Sequence, residues 1–301
     1  MKLSDICELL LLAALWGGSF LFMRIAAPIL GPVWLIEVRV LLAGLVLLPL
    51  LVRSGLLKEM GRHRLPLLIV GCLNSAIPFL CLAFASVSLP AGFTSILNGT
   101  APLFGTIVAF IWLHESLTPT RMIGFVLGFI GVVVLVGWKA IETTPDILIA
   151  IGAALLAALM YAIAAPYIKK NLVGVSPLVV ATGSQLGAAF AILPALPFTI
   201  PQQVPSARVV MSVLTLAIVS TAFAYILYFR LIQNVGSTKA LTVTYLVPLF
   251  AMVWGAIVLQ ERVTSSMILG CGLVLLGTAI ANDLFTTARQ GHTKSGITNR
   301  Q

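Results

Sequence analysis

The residues of this chain that could do chemistry stand singly inside apolar stretches. Asn98 and Thr244 each lie four places ahead of a proline, Pro102 and Pro248. A proline within a helix cannot donate to the carbonyl four residues earlier and pushes it aside, so both polar residues are expected to carry freed carbonyls. Each proline either opens a binding site in this way or merely bends its helix. Ser19 adds a hydroxyl. Trp16, Tyr161, Tyr225 and Tyr245 add aromatic faces with a polar tip. Arg39 either snorkels outward or clamps an anionic group. Trp16 either lines a cavity or packs against a neighbouring helix. This set suits hydrogen bonding and stacking on a small molecule.

It does not suit catalysis. Nucleophilic, acid–base or metal chemistry would need a nucleophile with its base, paired acids or a ligand cluster. His63, His114 and His292 fall in expected loops or helix ends, and no two acids share the interior of one apolar run. Cys7, Cys72, Cys81 and Cys271 lie in or beside separate runs without metal spacing. The glycine–lysine signature of an ATP site is absent. No enzyme activity, metal or cofactor is therefore expected. Arg24 and Glu37 flank a short turn near Pro28 to Pro32, and antiparallel helices would set them at similar depth, so they are expected to form an ion pair. Arg39, two residues beyond Glu37 and roughly 200° around the helix, points elsewhere.

The elements that must hold these groups follow from composition. Hydrophobic residues make up 60% of the 301 and charged residues only 9%, with mean hydropathy +1.11. A soluble domain carries roughly 25% charged residues. Ten apolar runs are each long enough to cross a hydrocarbon core of about 30 Å as a helix: residues 6–27, 33–52, 65–86, 89–113, 120–138, 147–168, 176–198, 208–231, 237–259 and 264–285. Strand alternation is absent, which excludes a β-barrel. The first run has acids, Asp5 and Glu8, where a signal peptide has bases, and is kept as a membrane helix. No transit peptide precedes it, which favours a bacterial cytoplasmic membrane.

The stretch around Pro102 returns 146 positions later around Pro248, and ten of thirty gapless columns match, among them Glu115 with Glu261 and Gly124 with Gly270. The chain reads as two five-helix repeats, residues 1–138 and 139–285, with a polar, disordered tail at 286–301. Five is odd, so the second repeat enters the membrane from the opposite side. Inverted repeats around a central cavity are a recurring construction of secondary transporters. With a cytoplasmic N-terminus, 13 of 18 basic residues fall in inner segments, 3 in outer loops and 2 inside helices. That distribution puts both termini in the cytoplasm and makes the lipid bilayer, rather than nucleic acid, the partner of the +9 charge.

Trp16-Gly17, Arg39, the Pro102 helix closing on Glu115, and Leu117-Thr118 followed by Gly124 and Gly131 resemble EamA-type members of the drug/metabolite transporter superfamily. The resemblance spans about residues 5–285 and implies a ten-helix carrier, often an exporter of amino acids or other small metabolites. One departure is that Gly183 stands opposite Arg39 when a shift of 144 is allowed, so the halves are expected to do unequal work. The site is expected between runs 1, 3, 4, 6, 8 and 9, with Arg39 toward its outer mouth. Proton-coupled uptake, multidrug export and a receptor or structural role are the alternatives; a monomer and a homodimer both remain open.

Overall fold

The computed structural model describes residues 1–113, 116–137 and 144–282. His114, Glu115, residues 138–143 and the tail from 283 lie outside the described residues. Helices follow in the order α1 (Leu3–Arg53), α2 (Leu57–Arg62), α3 (Arg64–Gly71), α4 (Ile77–Ser88), α5 (Ala91–Asn98), α6 (Ala101–Leu113) and α7 (Pro119–Gly137). The second part holds α8 (Pro145–Asn171), α9 (Pro177–Ile192), α10 (Ala207–Leu214), α11 (Ala224–Val235), α12 (Ser237–Ala240), α13 (Val243–Leu259) and α14 (Ser265–Ala281). Two π-helical stretches, Cys72–Ala76 and Thr215–Phe223, join α3 to α4 and α10 to α11. No strand occurs among the described residues. Among the described residues, seven helical stretches are long and apolar enough to cross a membrane, and α13 and α14 are shorter apolar helices.

α1 is two helices in one. Gly31 sits at φ 74° and ψ 154°, between Pro28 and Pro32, in backbone space that glycine enters at little cost. Sixteen residues of straight helix would separate Met23 from Arg39 by about 24 Å. Instead Met23 Sδ lies 3.7 Å from Arg39 Nη1, so the chain doubles back at Gly31 and its two arms pack side by side.

Packing across the two halves is carried by small residues. A Cβ on Gly124 would meet the Gly277 oxygen at 2.6 Å, and one on Gly270 would meet the Gly131 oxygen at 2.9 Å. Low residue numbers on α7 therefore face high numbers on α14, and the two helices run antiparallel with their backbones touching. These two contacts are also images of one another, because the 146-residue shift turns 124 into 270 and 131 into 277. The central apolar core draws on both α1 arms, α4, α5, α8, α9 and α13. Large apolar side chains on the opposite faces stand open, Ile111 at 66%, Val133 at 60% and Ile268 at 60% exposed. Lipid, which has no hydrogen bonds to lose, is the solvent for such a surface.

Candidate substrate site

The two π-helical stretches coincide under the repeat. Moving Cys72–Ala76 on by 146 lands on 218–222, inside Thr215–Phe223. An extra residue per turn re-aims side chains and loosens the backbone ladder, which is why such bulges gather at functional sites. Here they aim Ser75 and Thr221 inward, both at most 1% exposed. Thr221 stands midway along the 207–235 span. Close backbone approach brings α9 to the first stretch: a Cβ on Gly71 would meet the Ser184 oxygen at 2.7 Å and the Ala188 nitrogen at 2.8 Å.

Two hydrogen bonds cross between the halves at this level. Arg39 Nε donates to Thr221 Oγ1 at 3.0 Å. Gln185 Nε2 donates to Ser75 Oγ at 2.9 Å. A shift of 146 carries Arg39 to Gln185 and Ser75 to Thr221, so each bond is the image of the other. This corrects the pairing of Arg39 with Gly183; Gln185 is its counterpart, and Gly183 is a packing position whose added Cβ would meet Leu67 Cδ1 at 2.7 Å. The same shift relates Phe79 to Tyr225. Phe79 lies under the Arg39 guanidinium, 3.7 Å from carbon to ring centroid, a cation–π contact. Tyr161 and Tyr225 lie within electrostatic reach of the same charge, and the Tyr225 hydroxyl is within reach of Asn74 and Ser75. An aromatic column continues along α11 from Tyr225, stacked on Phe229 with ring centroids 5.9 Å apart. Tyr228 follows beside Phe229 and then meets Trp16 at 5.2 Å. The result is a buried, positively charged, donor-rich cluster walled by aromatic rings.

The EamA-like transporter family model matches residues 4–137 and again 148–282. The chain belongs to this family. An uncharacterized transporter of Archaeoglobus fulgidus is 24% identical over 90% of this chain and 96% of its own length. The uncharacterized transporter YvbV of Bacillus subtilis is 25% identical over 90% and 89%, and protein PecM of Dickeya dadantii 25% identical over 98% and 97%. A crystal structure 19% identical in sequence has a TM-score of 0.66, covering 94% of this chain and 98% of that one, which shows the shared fold. This EamA-like protein is thus a multi-pass membrane transporter by family.

Of the residues expected in its site, Arg39, Tyr161 and Tyr225 come together, and Trp16 joins through Tyr228. Arg39 lies deep instead of at a mouth, 5% exposed beside a mid-span threonine. Gly17 next to Trp16 packs α1 on α13, with an added Cβ 2.7 Å from Phe250 Cβ. Ser19 is buried and bonds back to the Leu15 carbonyl at 3.5 Å. Asn98 ends α5, its Oδ1 buried without a partner among the described residues. Pro102 stands at the second position of α6, after a break at Gly99 and Thr100. Pro248 sits inside the unbroken α13, so the two proline helices are not alike. Thr244 is exposed and bonds back to the Leu241 carbonyl at 2.8 Å. Tyr245 receives Asn282 Nδ2 at 3.4 Å, just past α14. Asn74, Ser75, Phe79, Gln185 and Thr221 escaped sequence reasoning. The signal that could have found them is the 146-residue shift applied to polar residues within apolar runs.

The Arg24–Glu37 ion pair does not form. Arg24 Nε lies 3.7 Å from Glu261 Oε1, and Nη1 donates to the Ser86 and Val87 carbonyls at the end of α4. Glu261 accepts the Ala91 N–H at the start of α5, Oε2 at 3.0 Å, where a carboxylate also meets the positive end of the helix. Burial pushes the Glu261 carboxyl above the usual carboxylate range, while the Ala91 N–H and Arg24 pull it back. Glu37 is 3% exposed and its Oε2 has no partner among the described residues. The turn at Gly31 brings the two arms together but rotates Arg24 toward α4 and the α13–α14 connection. A second cross-repeat ion pair, Glu8 with Arg230, ties the start of α1 to α11.

Proposed function

We propose that this EamA-like protein is a secondary transporter that exports a small organic metabolite of amino-acid size across a bacterial cytoplasmic membrane, by alternating access to the Arg39–Gln185 cluster. The observation that carries this reading is the exchange symmetry of the two buried hydrogen bonds, Arg39 to Thr221 and Gln185 to Ser75, at mid-span π-bulges. A carrier needs one site that two similar halves can approach from either side, and a pseudo-two-fold pair of contacts is what such a site looks like.

Ten crossings follow if α1 counts twice about Gly31 and the 17-residue α13 and α14 each cross. The antiparallel α7–α14 pair supports inverted repeats of residues 1–138 and 139–285. The basic-residue distribution supports cytoplasmic termini. Arg24–Glu261 and Glu8–Arg230 hold the first arm of α1 to the second half at opposite ends, where ties can open in turn. Two experiments test the reading. Reporter fusions after residue 60 and near residue 142 should fall in opposite compartments. Purified protein in liposomes should mediate saturable counterflow of a metabolite pool; liposomes that stay sealed to every member would overturn it.

A further inference from the structure

We infer that the substrate is a small monoanion: a carboxylate seated on the unpartnered Nη2 edge of Arg39, with a neutral O–H or N–H donor facing Gln185. This rests on the transporter reading and goes beyond it by fixing charge and polarity.

Charge comes first. Arg39 is 5% exposed, and no carboxylate lies within 4.0 Å of it among the described residues. Its surroundings offer one threonine oxygen on Nε, a thioether on Nη1 and an aromatic ring beneath the plane. All are neutral, as are the nearby Tyr161 and Tyr225, and Nη2 has no hydrogen-bond acceptor among the described residues. A guanidinium donates through five N–H groups in a planar fork that matches a carboxylate two bonds at a time. Phe79 covers a face of that plane, and the Nη2 edge is left without an acceptor among the described residues. A buried charge without a counterion is costly, so an anion that enters here gains the full attraction of a charge already stripped of water.

The opposite couple sets the other end. Gln185 uses its amide N–H on Ser75, while its Oε1 is buried and lacks a donor among the described residues, as does Ser220 Oγ. Across the pseudo-axis from Arg39, therefore, stands an acceptor waiting for a donor. An ammonium would want a carboxylate there, and the cluster around Gln185 supplies only neutral oxygens. A hydroxyl or amide N–H fits; a zwitterion does not balance Arg39. The class is a small 2-hydroxy or N-acylated monocarboxylate.

A monoanion also gives export a driving force without a coupled ion. An inside-negative potential of 100 mV favours outward movement of one negative charge by about fifty-fold.

The test is efflux from proteoliposomes loaded with lactate or phenyllactate, each compared with its carboxamide and with alanine or phenylalanine. A potassium–valinomycin potential is imposed in either sense. The expected result is efflux of the hydroxy acids alone, faster when the inside is negative, lost at least 100-fold in Arg39→Gln and partly kept in Arg39→Lys. Amides moving as well as acids would overturn the carboxylate, while leaving the protein a transporter. Amino acids moving as well as hydroxy acids, or efflux indifferent to potential, would overturn the net charge. Silence toward the whole panel, with a broader metabolite pool still exchanging, would overturn the substrate class; silence toward everything would remove the transporter reading itself. Because Arg39→Gln removes a buried charge, its folding is checked by size-exclusion profile, and Arg39→Lys stands as the second variant.

Discussion

Arg39 with Thr221 and Gln185 with Ser75 are one geometry built twice, and the difference that matters most is electrical. One donor carries a charge and the other does not. Duplication gives both halves the π-bulge, the inward hydroxyl and the donor on the facing helix. Divergence has kept a hydroxyl as the acceptor, Ser75 or Thr221, and an aromatic ring nearby, Phe79 or Tyr225, but has changed the charge of the donor. Under the proposed function, symmetry supplies a place that both halves can reach, whereas selectivity needs the symmetry to be broken at that place. Arg24 offers a second contrast. It meets a carboxylate and two carbonyls, so its charge is spent within the protein, while Arg39 has only neutral partners.

The most damaging change is the one that makes the two couples alike. Arg39→Gln should reduce proteoliposome flux at least 100-fold at normal membrane abundance. Adding Gln185→Arg to that variant moves the charge to the image position and should recover part of the flux. No recovery at all would mean that the couples are alike in shape only.

The next effect concerns stability rather than transport. Arg24→Gln leaves Glu261 partly buried without its cation and should cost about 1–3 kcal/mol, less than a fully buried pair because both side chains keep some exposure. Glu261→Gln in the same background should recover part of that loss, whereas Glu37→Gln should add independently. Thermal unfolding in detergent measures both, and coupling of Arg24 to Glu37 rather than to Glu261 would contradict the structure. Smaller again are the two hydroxyls. Thr221→Val should cost about 1.5–3 kcal/mol, because its partner is charged, and Ser75→Ala about 1 kcal/mol. Equal losses would argue that Arg39 does not lean on Thr221. Smallest of all, Val126→Ala on the outward face of α7, 53% exposed, should change stability by less than about 0.5 kcal/mol and leave flux intact. A large effect there would put a contact on a face the structure leaves to lipid.

Much of the architecture was legible in the chain itself. Apolar length sets where helices lie, because an unpaired backbone in hydrocarbon is intolerable and only helices satisfy it locally. The repeat was legible because prolines, glycines and acids recur at one spacing against a background that has few of them. Those are properties of order along the chain, and composition fixes them before any packing occurs. The candidate site was legible only in part. Arg39, Tyr161 and Tyr225 stood out by type, but Asn98 and Thr244 drew attention through prolines that turned out to begin one helix and sit inside another.

What folding alone decided is which side chains meet. Ser75 and Thr221 are ordinary hydroxyls in sequence; a π-bulge, whose extra residue no local propensity announces, turns them inward. Arg24 and Glu37 looked like partners because depth along two antiparallel helices can be counted, yet rotation about each helix axis cannot be, and it is fixed by the glycine contacts that α9 and α13 make with their neighbours. A sequence states how far along a helix a charge lies. Only the packed bundle states which way it faces.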